Sequence, residues 1–326
     1  MRSTRRTRPT RPTRFAAPMV LLLLLVSLAL PLTACSPQEA AAPEAAEPAA
    51  ALFPVTITDD AGRDVTVETE PVRIVSLAPA NTEIVYALGL FDRLVGVTTY
   101  DDYPAEVANL PKVGDFVTPN LEAIAATEPD IVLATTGVQA DAIEQLEALG
   151  ATVVAVDPQD LDGLLADIAL VGDVLGAPDE AAALVEQMRS DIARIAETVS
   201  AEEPTPCFIE IAQDPLFTAG TGTLLDDLIL TAGGRNVVTE PGYVGYSLEQ
   251  LVIDDPQVYL ATLGSMSDPS ALAERPGYDG LSAVKSGRVA VLEDNLVSRP
   301  GPRIIQGIEQ IAAALHPDLF ESSATE

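Results

Sequence analysis

The sequence predicts an α/β fold of two similar lobes joined by one long α-helix, with a ligand cleft between the lobes. Three observations carry this prediction. Short apolar strands alternate with helical segments along most of the chain, the rhythm of a mostly parallel sheet with helices on both faces. One αβ unit recurs at a constant offset of 127 residues. Between the copies lies a segment of helical periodicity long enough to bridge two lobes.

The N-terminus reads as an address. Residues Met1 to Arg14 are basic and acid-free, and Val20 to Leu30 is a nearly unbroken apolar run, shorter than a spanning helix needs. The run ends in Leu32-Thr33-Ala34-Cys35, which resembles a bacterial lipobox whose cysteine is lipidated and becomes the mature N-terminus. Residues Ser36 to Ala51 are mostly Ala, Pro and Glu, the composition of a flexible, self-repelling tether. The expected organisation is a signal peptide over 1–34, a lipidated Cys35 and tether over 35–52, an N-terminal lobe over 53–177, a bridging helix over 178–200 and a C-terminal lobe over 201–326.

Val55 to Thr58 and Val65 to Glu68 alternate apolar and polar residues around Asp59-Asp60-Ala61-Gly62, which predicts a leading hairpin. Strands follow at Arg73 to Leu77, Leu94 to Val97, Asp130 to Ala134 and Thr152 to Val156. Helices are expected at about Asn81 to Leu88, near Leu121 and over Ala140 to Leu149. The repeat pairs Asn120-Leu121-Glu122-Ala123-Ile124 and Pro129 to Ala134 with Ser247-Leu248-Glu249-Gln250-Leu251 and Pro256 to Ala261. In each copy a polar cap opens a short helix and a proline ends it ahead of a buried strand. From Asp179 to Val199 the positions Ala181, Leu184, Val185, Met188, Ile192, Ile195, Ala196 and Val199 follow helical spacing, with Pro178 suited to the first turn. The second lobe is read as strands Cys207 to Ile211, Val258 to Ala261 and Arg288 to Leu292, with helices Thr223 to Ala232 and Arg303 to Leu315.

Charge and composition exclude several functions. The chain holds 18 Lys plus Arg against 49 Asp plus Glu, a formal charge of −31. Six of the basic residues precede residue 15, so export would leave 12 basic residues facing all 49 acids. Such a surface repels phosphate backbones and argues against nucleic-acid binding. One histidine and two cysteines rule out His-rich metal sites and disulfide scaffolds. No Gly-x-Gly-x-x-Gly or Gly-x-Ser-x-Gly supports a dinucleotide site or a serine hydrolase. His316 is read as a surface or helix-end residue and Cys207 as a buried small one. The pairs Asp101-Asp102, Asp226-Asp227 and Asp254-Asp255 are read as solvated or capping carboxylates.

The run Arg73-Ile74-Val75-Ser76-Leu77-Ala78-Pro79-Ala80-Asn81-Thr82-Glu83 resembles the opening signature of a known family. Leu94-Val95-Gly96-Val97, Tyr100-Asp101-Asp102-Tyr103-Pro104 and Val113-Gly114 continue the match. This is the single-helix-hinge family of solute-binding proteins that serve ABC importers of iron-siderophores, haem and vitamin B12, and the chain looks most like its vitamin B12-binding branch. The resemblance covers most of Val55 to Phe320. It implies Rossmann-like lobes, an extracytoplasmic monomer anchored by lipidated Cys35, ABC permease subunits as partners and no resident cofactor, cobalamin or an iron chelate being cargo. It also implies a ligand site using Tyr100, Phe116, Tyr243, Asn295 and Arg299, with Glu122 and Glu249 docking on permease arginines. Thr135 and Ile211 stand where that branch has aromatic residues, which leaves related corrinoids, haem and siderophores open as ligands. A surface interaction protein without a small ligand and an α/β enzyme are the remaining alternatives.

Overall fold

The leading hairpin forms as the alternation predicts. Strands β1 (Val55–Thr58) and β2 (Asp64–Val67) pair antiparallel, with Val55 opposite Val67. This computed structural model describes residues 52–262 and 266–320. The export segment, Cys35 and nearly all of the tether lie outside the described residues.

The first sheet collects the short apolar runs. Strand β3 (Ile74–Ser76) leads into α1 (Pro79–Ala87), followed by β4 (Leu94–Gly96), α2 (Leu121–Ala126), β5 (Ile131–Ala134), α3 (Ala140–Ala148) and β6 (Val153–Ala155). The order is β4-β3-β5-β6 and every pair is parallel. All residues of β3, β5 and β6 are buried, as expected for strands covered on both faces.

Two helices then pack together. The first, α4 (Leu161–Leu175), is absent from the sequence expectation although its end signals are present. Asp160 caps it by accepting from Gly163 N, and Gly176 terminates it at φ 76°. Nine of its fifteen residues are buried, including Asp167 and Gly172, so its apolar surface wraps too far round for a clean amphipathic stripe. Next comes α5 (Pro178–Val199), the predicted bridge, with Pro178 in its first turn. Its 22 residues span about 33 Å. Gly172 permits the close approach of the two helices, because a Cβ there would fall 2.2 Å from the Ala181 Cβ.

The second sheet is mixed. Its elements are β7 (Thr205–Gln213), β8 (Leu216–Ala219), α6 (Leu224–Thr231), β9 (Gly234–Asn236), β10 (Tyr243–Gly245), α7 (Leu248–Asp254) and β11 (Val258–Thr262). The chain continues through α8 (Ser282–Lys285), β12 (Val289–Leu292), α9 (Asp294–Val297), α10 (Ile304–Leu315) and α11 (Pro317–Phe320). Strand order is β10-β8-β7-β11-β12, with β9 beside the start of β7. The pairs made by β8 are antiparallel and the others parallel.

The repeat persists at the level of single bonds. Asn120 accepts from Ala123 N and Ser247 from Gln250 N, so both short helices carry side-chain caps. Glu128 at φ 46° and Asp255 at φ 39°, also 127 residues apart, are the two positive-φ non-glycine residues among the described residues. Two residues later Asp130 N donates to Arg73 O, and Gln257 N donates to Pro206 O. One continuous apolar core includes residues of both sheets, α4, α5, α6 and α10.

Two expectations gain detail. His316 does end α10, but it is 7% exposed, with Nε2 3.0 Å from Gly233 O at a joint between α10 and the turn after α6. The acidic pairs, expected as solvated or capping carboxylates, include capping ones, Asp227 and Asp255, and buried ones, Asp101 and Asp226. Asp101 is buried and accepts from Thr98 N, Asp226 is buried against Asn236 Nδ2 and Gly222 N, and Asp227 accepts from Leu161 N. The donor to Asp227 lies 66 residues away, beyond what local sequence reveals. Cys207 is buried as read, and burial pushes its thiol up to about 12.

Candidate functional site

A cavity of about 820 Å³ lies between the lobes. One wall comes from the N-terminus of α1, the loops carrying Tyr100 and Phe116, Thr135 after β5 and the Val156–Gln159 turn. The other comes from Leu224, Tyr243, Met266 and the segment Asp294 to Pro300. The five residues the resemblance marks for ligand binding therefore gather at one place: Tyr100, Phe116, Tyr243, Asn295 and Arg299 all line it. Thr135 is on the wall as a small residue, whereas Ile211 packs against the main apolar core instead.

Local hydrogen bonds aim the aromatic residues. Thr98 Oγ1 accepts from Tyr100 N, while Asp101 accepts from both Thr98 N and Thr98 Oγ1, which fixes the bend that presents Tyr100. Thr99 N donates to Gly114 O, tying this bend to the Phe116 loop. Gly114 sits at φ 115°, and a Cβ there would lie 2.6 Å from Asn120 N, so only glycine fits. Asp115 Oδ1 accepts from Val117 N at 2.8 Å and Thr118 N at 2.6 Å, turning the backbone around Phe116. Fully buried Gln139 clamps this loop, donating to Phe116 O and Leu77 O and accepting from Thr135 N. Tyr243 sits on β10 opposite Ala219 of β8. Tyr100 is 59% exposed and Tyr243 51%, so both rings retain free surface. Burial, and then the Asp157 carboxylate, push the Tyr243 phenol above its ordinary value.

The polar side of the cavity spans both lobes. Arg299 Nη1 donates to Asp102 Oδ1 at 2.5 Å, and Nη2 reaches Asp102 Oδ2 and Tyr100 O, each at 3.3 Å. Asn295 Nδ2 donates to the same Asp102 Oδ2 at 3.0 Å. Behind them Arg303 grips Glu83 through Nε at 2.9 Å and Nη2 at 2.6 Å, and its guanidinium lies 4.1 Å from the Tyr103 ring centroid. Burial alone would push the Asp102 carboxyl up, but the Arg299 guanidinium outweighs it and holds the group below the usual range. Asp157 and Asp294 add two more acids to the wall.

Sequence reasoning found Asp102 and Glu83 only as parts of motifs and passed over Arg303, Asp157, Asp294 and Met266. Asp102 and Glu83 meet Arg299 and Arg303 about 200 residues away, beyond any local signal. Glu122 and Glu249 lie outside the cavity, exposed at equivalent positions of α2 and α7, with no ion-pair partner among the described residues. No group of three or more His, Cys, Asp or Glu able to hold a metal ion occurs among the described residues. None of their helices is long and apolar enough to cross a membrane.

Comparison with known proteins identifies the family and the fold. Residues 74–296 match the Periplasmic binding protein family. The chain is 40% identical over 279 residues to the "Uncharacterized ABC transporter substrate-binding lipoprotein YvrC" of Bacillus subtilis, covering 83% of this chain and 88% of that one. Among solved structures, a periplasmic heme-binding protein from Pseudomonas aeruginosa has TM-score 0.70 and 31% identity, covering 76% of this chain and 93% of the other. The periplasmic vitamin B12-binding protein BtuF of Vibrio cholerae has TM-score 0.67 and 28% identity, covering 75% and 96%.

Proposed function

This chain belongs to the periplasmic binding protein family, and from that premise we propose that it captures a cobalamin-type corrinoid between its lobes and delivers it to an ABC permease. The coarser statement stands by itself: the protein is an extracytoplasmic solute-binding component of an ABC importer of the B12, haem and siderophore kind, not an enzyme. It works with permease and ATPase components and binds a small ligand.

The observation that carries the ligand class is the pairing of Arg299 within an otherwise acidic, aromatic-walled cavity. A flat macrocycle stacks on tyrosine and phenylalanine faces from both lobes at low side-chain entropy cost. A corrinoid edge is rich in amides, which hydrogen-bond without needing an unpaired guanidinium. Haem carboxylates and anionic ferric siderophores need that guanidinium, and they meet Asp157 and Asp294 as like charges. A Tyr243 phenol held above its ordinary value is also a poor phenolate ligand for ferric iron. Titrating the purified protein with cyanocobalamin, haem and a panel of ferric siderophores tests the reading. One-to-one binding tightest for cyanocobalamin is expected, and tighter binding of haem or a siderophore overturns it.

Two further assignments belong to the same reading. Glu122 and Glu249 dock on permease arginines, one from each lobe, as suits a two-fold pair of permease subunits. Cys35 carries the lipid that holds the protein at the membrane.

A further inference from the structure

Arg299 is the only Lys or Arg on the cavity wall among the described residues, and its side chain is 15% exposed. Its guanidinium faces Asp102, which offers both carboxylate oxygens from the opposite lobe. We propose that Asp102 is a specificity-determining residue, a built-in counter-ion that withholds Arg299 from anionic ligands and so keeps the cleft for neutral, amide-rich ones. The proposal rests on the cavity being the ligand site.

The geometry separates the roles of the two acids in this cluster. Glu83 is 2% exposed and engaged through both oxygens by Arg303, so its charge is already balanced, and its contact with Arg299 is a long 3.4 Å. Asp102 is the acid that neutralises Arg299. The fork is two-pronged, the arrangement by which a guanidinium grips a carboxylate, and that same arrangement would grip a ligand's carboxylate. An anionic ligand must therefore break the fork and then lie beside the released Asp102, in a cavity that also carries Asp157 and Asp294, one on each wall. Asn295 reinforces the arrangement, since its Nδ2 donates to the Asp102 oxygen farther from the fork's shortest bond. The Asp102 side chain is 53% exposed, so it is not required to fill the core, and it bears on the cavity through Arg299, which lines it.

Removing the carboxylate distinguishes this role from a merely structural link between lobes, because structural loosening lowers affinity for every ligand whereas loss of a counter-ion raises affinity for anions. Haem, with its two carboxylates, is the anionic probe, and cyanocobalamin is titrated in parallel. D102N is expected to bind haem at least tenfold more tightly than the wild type. That gain should shrink in 0.5 M NaCl and vanish in the D102N/R299Q double variant. D102E, which keeps the charge, should restore wild-type weakness toward haem. D102S is read in the same way if circular dichroism shows D102N to be misfolded. Haem affinity in the folded variant at or below that of the wild type overturns the proposal, as does a gain that survives R299Q. Failure of the wild type to bind cyanocobalamin would overturn the corrinoid reading alone, since comparing haem binding between wild type and variant decides the counter-ion role independently.

Discussion

Tyr100 and Tyr243 approach the cavity from different lobes with half their surfaces free, so each contributes a ring face and little core packing. Replacing either by alanine should weaken ligand binding by about 1–3 kcal/mol, the scale of one lost stacked aromatic, with little change in stability. Calorimetric titration of both variants checks this, and wild-type affinity in the two would remove the rings from the site. A second residue governs pH dependence. Asp167, 5% exposed on α4, is pushed up to about 8, first by burial and then by the charges of Asp60, Asp157 and Asp160. In the unfolded chain an aspartate titrates near ~4, so the folded protein holds this proton more tightly. Its contribution to stability is complete below that value and is lost as pH rises toward about 8, by up to ~1.4 kcal/mol per pH unit. Urea melts at pH 5 and pH 9 should show a smaller loss for Asp167→Asn than for the wild type, and equal losses would contradict this account. Tyr100 was legible in the sequence because it opens the Tyr100-to-Pro104 motif, whereas Phe116 and Tyr243 were marked only by position in the resemblance. The environment of Asp167 was not legible, since residues from Asp60 to Asp167 must first fold together to create it.

At the scale of elements, legibility followed the local signals. Strands β3, β5 and β6 and helix α5 stand within two residues of expectation because apolar period and proline placement agree there. Helix α4 escaped notice for the opposite reason: a helix buried on much of its circumference loses the stripe by which helices are recognised, although Asp160 and Gly176 marked its ends. Strands β8, β9 and β10 are three or four residues long; β8 and β9 pair with β7, and β10 pairs with β8. The repeat was legible, and its two capped helices bear Glu122 and Glu249 at matching exposed positions. If these carboxylates only interact with the helix N-termini, each substitution costs about 0.3–1 kcal/mol of stability and nothing else. If they dock, the double variant Glu122→Ala/Glu249→Ala binds ligand normally but neither stimulates the permease's ATPase nor supports uptake. Normal uptake by that variant at wild-type protein levels would return both residues to the helix-end role.

For the molecule as a whole, the expected attachment is a lipid at Cys35, so Cys35→Ala should yield a folded protein found in the soluble fraction. Continued co-fractionation with membranes would contradict that anchor. If ligand binds the native state across the two lobes, as proposed, it should also raise the melting temperature. The pairing of the lobes was legible from the repeat, but their union was not. The apolar core does not stop at the lobe boundary: Ile74 and Leu133 of the first sheet, Val185 and Ile195 of α5, and Ile209 and Leu260 of the second sheet belong to one cluster. Wide separation of the lobes would expose that shared interior to water, which the hydrophobic effect opposes. Loading should therefore proceed with the interior kept dry, and its calorimetric signature follows from the cavity wall. The heat capacity change on binding should be modest and negative, matching the ligand's own apolar surface and not the larger value of two domains swinging shut.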